Sequence, residues 1–138
     1  MVAALVQRNF SMHSLVFVRT KLHAHRMNIL LRLLDIRSAE LHGDMKQKDR
    51  LNSLREFKNG DVDVLVCTDL ASRGLDIPLV ENVINLSLPK DYKGYVHRVG
   101  RTARAGKSGL AVSLGWYARC VKTISTYFRI NLQNRKKN

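Results

Sequence analysis

Short apolar runs alternate with amphipathic segments along most of this 138-residue chain. The apolar runs have the length of buried strands, and the segments between them repeat apolar residues every three or four positions, as helices do. Strands and helices that alternate in this way predict a parallel sheet with right-handed crossovers and helices on its faces. The predicted strands are Leu15–Val18, Ser38–Leu41, Val62–Val66, Val83–Leu86 and Leu110–Leu114, and the predicted helices are Leu22–Leu34, Gln47–Lys58, Tyr92–Val99 and Val121–Phe128.

Local signals support the helix assignments. Leu51, Leu54 and Phe57 recur every three residues and predict a buried stripe on the second helix. Gly60 follows that helix, and glycine commonly ends helices because it adopts the left-handed conformation without strain. Asp91 directly precedes the third helix, where its carboxylate can accept a hydrogen bond from a free backbone N–H of the first turn. We therefore expect Gly60 and Asp91 to mark helix ends.

The composition fits one soluble domain with a sizeable core, since 45% of the residues are hydrophobic. Cys67 and Cys120 lie far apart without the spacing of zinc ligands, so we expect reduced thiols and no metal site. The apolar runs are too short for a membrane span or a secretion signal, which predicts an intracellular protein.

Positive charge is concentrated in the last third of the sequence. Residues 1–91 contain 13 Lys or Arg and all 11 acids, whereas residues 92–138 contain 11 Lys or Arg and no acid. A net charge of +13 placed so unevenly predicts a polyanionic partner such as a nucleic acid. The last basic residues, Arg135 to Lys137, are expected to form a solvated tail.

Three polar stretches carry the candidate chemistry: His42–Arg50, Cys67–Pro78 and His97–Gly106. The first two follow predicted strands, and ligands of open parallel sheets bind outside the carboxyl ends of the strands. In the third, Arg101 and Arg104 lie three residues apart, so both guanidinium groups can face one anion. We therefore expect the stretches to form a phosphate-binding surface at one edge of the sheet.

In order and spacing, these stretches resemble the QxxR element, motif V and motif VI of the DEAD-box RNA helicases. The resemblance covers Ser14 to Leu114 and is to the second, C-terminal RecA-like domain of such an enzyme. It implies an α/β fold, a RecA-like three-layer sandwich with a mostly parallel central sheet flanked by helices. The Thr-Ala-Arg-Ala-Gly sequence within motif VI is similar to that of family members that act in ribosome assembly. After Leu114 the sequence departs from the family pattern.

The resemblance also implies an organisation and a set of partners. Residues 1–13 are expected to be a linker or the tail of a preceding domain, residues 14–130 the helicase C-terminal domain, and residues 131–138 a basic tail. The expected partners are RNA, contacted along its backbone, and an N-terminal RecA-like domain absent from this chain. We expect a monomer without membrane contacts in the nucleus or nucleolus, with the cytoplasm as the alternative. A free-standing RNA-binding or regulatory module without ATPase activity is the other function left open.

Site residues follow from the resemblance position by position. Arginine forks match phosphate geometry, and a glycine lets the backbone approach a phosphate closely. Gln47 is expected to brace Arg50 from one helical turn away. The implied RNA-binding residues are Thr20, Lys21, Gly43, Arg50 and Thr68, the nucleotide-binding residues are Asp76, Gly74, Arg101 and Arg104, and the catalytic residues are Arg101, Arg104 and His97.

Other polar residues of these motifs are expected to be structural. Asp44 is expected to cap the second helix, because Lys46 stands where the family often has a short hydroxyl. Asp69 and Arg73 are expected to form a local ion pair that shapes their loop, and Arg98 a structural salt bridge.

The resemblance implies ATP with Mg²⁺ as cofactor, both held mainly by the N-terminal domain. Gly106-Lys107-Ser108 looks like the end of a P-loop, but Arg101 stands where that motif requires its first glycine. The chain contains no other P-loop and no Asp-Glu-Ala-Asp run. We therefore expect this chain to be the C-terminal half of an ATP-dependent RNA helicase and to hydrolyse no ATP alone.

Overall fold

The computed structural model describes residues 13–72, 75–103, 109–117 and 120–126. Strands and helices alternate through most of these ranges, and the five predicted strands and first three predicted helices are confirmed. In chain order the elements are β1 (Ser14–Val18), α1 (Lys21–Leu33), β2 (Ser38–Leu41), α2 (Gln47–Asn59), β3 (Val64–Thr68), α3 (Asp69–Ser72), β4 (Asn82–Asn85), α4 (Tyr92–Val99), β5 (Leu110–Tyr117) and β6 (Cys120–Thr126).

A six-stranded sheet in the order β2-β3-β1-β4-β5-β6 forms the middle layer. The first five strands are parallel, and β6 runs antiparallel to β5 at one edge. Val18 pairs with Thr68 and Leu41 with Cys67, so β1, β2 and β3 end at nearly the same level. The predicted α/β fold with a mostly parallel sheet is confirmed, and the loops after these three strands lie side by side.

Each face of the sheet has its own hydrophobic core, because successive side chains of a strand point to opposite faces. Leu15 of β1 belongs to one core together with Phe57 of α2 and Val99 of α4. Val16, the next residue of β1, belongs to the other core together with Leu31 of α1. Helix α1 therefore covers one face while α2 and α4 cover the other, which gives the three predicted layers.

The helix ends follow local chemistry. Gly60 ends α2 in the left-handed conformation at φ 81°, and Asp91 begins α4 by accepting a hydrogen bond from the backbone N–H of Gly94 at 2.6 Å. Both predicted ends are confirmed. The hydroxyl of Thr20 begins α1 in the same way, accepting from the N–H of His23 at 3.2 Å. Within the described ranges, none of the helices combines the length and the apolar content needed to cross a bilayer.

Two local expectations about α2 are wrong. The residue at its N-terminal cap is Lys46, which provides no side-chain capping bond, and Asp44 instead forms an ion pair with Lys21 at the start of α1. Leu51 is 50% exposed, although Leu54 and Phe57 are buried as predicted. A spacing of three residues rotates each position by about 60° around a helix, so the first member of the stripe lies outside the contact with the sheet.

The predicted terminal helix at Val121–Phe128 is also wrong, because Cys120–Thr126 forms strand β6. Four of these seven residues are β-branched (Val121, Thr123, Ile124 and Thr126), and such residues favour strands. The backbone groups on the outer side of β5 offer a hydrogen-bonding edge for this segment, and that edge exists only once the sheet has formed.

Candidate nucleic-acid interface

The structure brings the five residues predicted to bind RNA to one edge of the sheet. Thr20 and Lys21 follow β1, Gly43 follows β2, and Thr68 is the last residue of β3. These three strands are parallel and end at nearly the same level, so the groups meet at their carboxyl ends. Arg50 lies in the first turn of α2, which starts directly after the Gly43 loop. This edge is named the carboxyl edge below.

Arg50 is held in place while part of its guanidinium stays available. Its Nη2 donates to the carbonyl of Ala71 at 3.2 Å, and its Nη1 donates to Oε1 of Gln47 at 3.4 Å. The second contact is the bracing expected for Gln47, at the long end of the hydrogen-bonding range. The Nε of Arg50 is buried and has no hydrogen-bond partner. That atom is closed to solvent, but each Nη uses one of its two N–H groups, so the second N–H of each can donate to an incoming phosphate oxygen.

Gly43 is exposed, and neither its backbone conformation nor protein packing requires a glycine. A Cβ built at this position would meet only Cδ2 of Leu70, at an ordinary contact distance of 3.8 Å. The space above the residue is therefore open to solvent. A glycine here leaves room for a ligand to approach the backbone closely, which agrees with the predicted contact to a phosphate.

Thr20 and Lys21 each combine a structural contact with capacity for a ligand. The Thr20 hydroxyl accepts the capping bond of α1, so its own proton stays free to donate. Lys21 pairs with Asp44, and both side chains are 61% exposed. Such an exposed pair contributes little to stability, so an incoming phosphate can compete for the ammonium group.

A buried arginine ties the ends of β3 and β4 to helix α4. Arg98 is 3% exposed; its Nε and Nη2 donate to the two carboxylate oxygens of Asp69 at 2.6 and 2.7 Å. Its Nη1 donates to Oδ1 of Asn85 and to the carbonyl of Ser87, and its guanidinium lies 4.8 Å from the centre of the Phe17 ring. The structural salt bridge predicted for Arg98 is confirmed. Its partner is Asp69, 29 residues away in sequence.

One predicted residue, Arg101, lies apart from the carboxyl edge. Arg101 follows α4; its Nη1 donates to the carbonyl of Ile77 at 3.4 Å, and its own carbonyl accepts from the N–H of Val80 at 2.9 Å. Both partners precede β4, so Arg101 is anchored beside the start of that strand. His97 is exposed on α4. The stretches that follow β1, β2 and β3 converge as expected, whereas Arg101 is anchored where the chain passes the start of β4 before it enters β5.

Asp76 lies in the segment that also contacts Arg101, and its side chain is 92% exposed. The Lys58 ammonium donates to its carboxylate at 2.9 Å. This hydrogen bond, together with the charges of Lys58 and Arg101, lowers the pKa of Asp76 below its usual value. The contact with Lys58 had no signal in the sequence, because it joins the end of α2 to a loop 18 residues later.

Some predicted residues lie outside the described ranges: Arg73, Gly74, Arg104 and the Gly106–Ser108 stretch. Cys67, in contrast, is fully buried in β3, and burial strongly raises the pKa of its thiol. In the ranges that the structure describes, His, Cys, Asp and Glu side chains form no group of three that could hold a metal ion.

Solved structures share this architecture. The C-terminal domain of the DEAD-box protein Dbp5 superposes with a TM-score of 0.77 at 32% identity, over 85% of this chain and 68% of that one. The Escherichia coli DEAD-box protein SrmB, bound to regulator of ribonuclease activity A, gives a TM-score of 0.75 at 40% identity over 81% of this chain and 66% of that one. Domain 2 of the Mss116p DEAD-box helicase bound to an RNA duplex gives a TM-score of 0.67 at 32% identity. The match covers 80% of this chain and 44% of that one.

Sequence comparison gives the same result. The ATP-dependent RNA helicase DRS1 of Eremothecium gossypii is 59% identical over 72% of this chain. The ATP-dependent rRNA helicase RRP3 of Scheffersomyces stipitis is 54% identical, also over 72% of this chain. This chain spans 14% of the length of the first relative and 21% of the second. The family described as "Helicase conserved C-terminal domain" matches residues 1–106. The chain therefore belongs to that family, in the form found in the DEAD-box RNA helicases.

Proposed function

We propose that this domain binds the RNA backbone at its carboxyl edge and supplies cationic side chains to ATP hydrolysis in a two-domain helicase. Arg50 carries the first part of the proposal. Its guanidinium is fixed by Ala71 and Gln47, each Nη keeps a second N–H, and the residue lies in the first turn of α2, just after the open Gly43 loop. Thr20, Lys21 and Thr68 add donors along the same edge.

The chemistry of the carboxyl edge favours backbone recognition over base recognition. Its donors are hydroxyl, ammonium and guanidinium groups and the free amide of an exposed glycine, all of which match phosphate oxygens. We therefore propose that binding is largely independent of sequence and that short duplexes are separated locally when an N-terminal RecA-like domain closes over the same strand.

Asp76 and Arg101 fit the nucleotide role. The Asp76 carboxylate is exposed and can accept a hydrogen bond from a ribose hydroxyl, while Arg101 uses one donor on a carbonyl and keeps the others. Bound ATP supplies the γ-phosphoryl group that is transferred to water. Arg101 and Arg104 neutralise negative charge around that group, with Arg104 as the arginine finger, and His97 faces the partner domain. The Mg²⁺ ion and the other phosphates are held by the N-terminal domain.

Arg98 connects the two surfaces. It joins α4, which leads into Arg101, to Asp69 at the end of β3, next to Thr68. A shift of the Arg101 segment is therefore transmitted to the RNA-binding edge through a buried guanidinium that makes four hydrogen bonds. The relatives include an rRNA helicase, and we propose an RNA substrate in ribosome assembly and a nuclear or nucleolar location.

The RNA part is tested by the salt dependence of binding to a single-stranded oligonucleotide. With roughly three to five phosphates contacted, the slope of log K against log salt should be about −2 to −3.5. Arg50→Ala should weaken binding and flatten that slope by about 0.7. Arg55→Ala is the matched control, because Arg55 lies on the same helix, is exposed and, among the described residues, donates a hydrogen bond to Asn52 alone. Equal slopes for Arg50→Ala and the unaltered chain would exclude Arg50 from the interface.

The catalytic part is tested in an enzyme that carries this domain behind an N-terminal RecA-like domain. Arg104→Ala should lower kcat for ATP by about 10³-fold with a much smaller change in KM, because the charge that it neutralises develops mainly in the transition state. Arg104→Lys should stay impaired, since an ammonium cannot replace the planar fork. An unchanged kcat, or a loss of thermal stability that accounts for the defect, would assign Arg104 a structural role.

A further inference from the structure

Helix α1 has apolar residues on two opposite faces. Its inner face packs on the sheet through Ala24 and Leu31, both fully buried. On its outer side, Leu22 is 51% exposed, Ile29 46% and Leu33 76%. A helix that covers one face of a sheet normally shows polar residues on its outer side, so this pattern leaves an apolar surface without a partner among the described residues.

The three outer residues lie on one side of the helix, with Arg26 between Leu22 and Ile29. Leu22, Ile29 and Leu33 are separated by seven and four positions, a spacing that places them on a single line along a helix. Leu30, 46% exposed, widens the stripe on one flank. The stripe extends from the carboxyl edge at Leu22 to the far end of the helix at Leu33. Most of it is therefore directed away from the proposed RNA contacts, and it is named the α1 stripe below.

The charged side chains of helix α1 itself are all positive. Helix α1 contains Lys21, Arg26 and Arg32 and no acid. Lys21 is paired with Asp44, and Arg32 donates to the carbonyl of Ser38. Arg26 lies four positions after Leu22 and three before Ile29, within the stripe, and it has no ion pair in the part of the chain described by the structure. An occupant that carries an acid can bury apolar area and also neutralise Arg26.

We propose that the α1 stripe docks an acidic amphipathic helix of another protein. Residues 1–12 and 127–138 contain no Asp or Glu, so these two segments offer no carboxylate side chain to Arg26. A second copy that stacked its own α1 on this helix would bring three more basic residues against the first three. The partner helix presents apolar residues every three or four positions and places glutamate or aspartate beside them, the arrangement by which amphipathic helices occupy apolar surfaces.

The test measures binding of a fluorescent synthetic helix to the 138-residue chain by anisotropy. The probe has leucines every three or four positions flanked by glutamates, and its control has lysines in place of the glutamates. The glutamate helix should bind at least tenfold more tightly than the lysine helix, with an affinity that falls as salt rises. A lysine helix that binds equally well, or a glutamate helix that does not bind, would overturn the proposal.

The site is assigned by variants. Ile29→Gln combined with Leu33→Gln should weaken binding of the glutamate helix by about tenfold or more, and Arg26→Gln by several-fold. Leu79→Gln is the matched control, because Leu79 is 51% exposed in the loop before β4. These side chains are exposed, so the thermal midpoint should stay nearly unchanged. Binding that survives the double substitution, or self-association that the double substitution abolishes, would contradict the assignment.

Discussion

Replacing Arg98 by methionine should destabilise this domain strongly, although the substitution leaves a long apolar chain against Phe17. The guanidinium makes four hydrogen bonds, to Asp69, Asn85 and Ser87, from a side chain that is 3% exposed. Methionine can fill much of the volume but donates no hydrogen bond. Most of the lost stability should therefore come from buried acceptors that no longer receive a hydrogen bond.

The magnitude follows from what each acceptor can do afterwards. Asn85 is fully buried, so its Oδ1 loses a partner that water cannot readily replace; the Ser87 carbonyl loses its charged donor as well. Each such loss costs about 1–3 kcal/mol. The Asp69 side chain is 40% exposed and can be rehydrated, so its share is small. We expect a total of about 3–4 kcal/mol, at the lower end of the range for breaking a buried ion pair.

Urea unfolding at neutral pH measures this loss. Arg98→Met should lower the midpoint without changing the slope m, since the surface exposed on unfolding is nearly the same. Arg98→Lys should have an intermediate midpoint, because an ammonium group retains the charge but not the planar array of N–H donors. In a double-mutant cycle with Asp69→Asn, the coupling energy should be at most about 1 kcal/mol, because the Asp69 carboxylate is partly exposed. A loss under about 1 kcal/mol for Arg98→Met at constant m would refute the reasoning.

Three further predictions concern other parts of the fold. Gly60→Ala should lower the free energy of unfolding in urea by about 1 kcal/mol, and Gly60→Asn by less, because φ is 81°. No atom lies within 4 Å of an added Cβ, so the backbone conformation alone sets the loss; equal stability of both variants and the unaltered chain would contradict this. In a Cys120→Ser background, the buried Cys67 should react with a thiol reagent at pH 8 only after unfolding, because burial raises its pKa; reaction at the unfolded rate in the native chain would contradict it. Lys58→Met should raise the pKa of Asp76 in an NMR titration, since the Lys58 hydrogen bond lowers it. The lowered pKa means that the pair stabilises the fold above the ordinary carboxyl pKa near 4 and ceases to do so as pH falls through the lowered value.

The sequence was most informative where a structure depends on a few neighbouring residues. The cap at Asp91 and the end of α2 at Gly60 each depend on a contact or conformation within about four positions, so residue type decides them. The alternation of apolar strands and amphipathic helices specified a parallel α/β fold for a similar reason, because the periods of 2 and 3.6 residues are local. The motifs also indicated the positions of three residues: Gly43 after β2, Arg50 in the first turn of α2 and Thr68 at the end of β3.

Only the tertiary structure decided which residues from distant segments meet. Asp69 pairs with Arg98 across 29 positions, Lys58 with Asp76 across 18 and Asp44 with Lys21 across 23. Composition allows many such ionic pairs, and the packing of helices on the sheet selects among them.

Long-range packing also explains why the last segment forms a strand and why Arg101 lies away from the carboxyl edge. Cys120–Thr126 forms a strand because the edge of β5 is there to pair with, which no local pattern reveals. Arg101 lies away from the carboxyl edge because the chain must return to the start of β4 before β5 can run parallel to it. The sequence by itself determined most of the elements, through short-range sterics and hydrogen bonding. The separation of the carboxyl edge from the Arg101 segment, and the contacts of Arg98 with Asp69, Asn85 and Ser87, depend on long-range packing of the whole sheet.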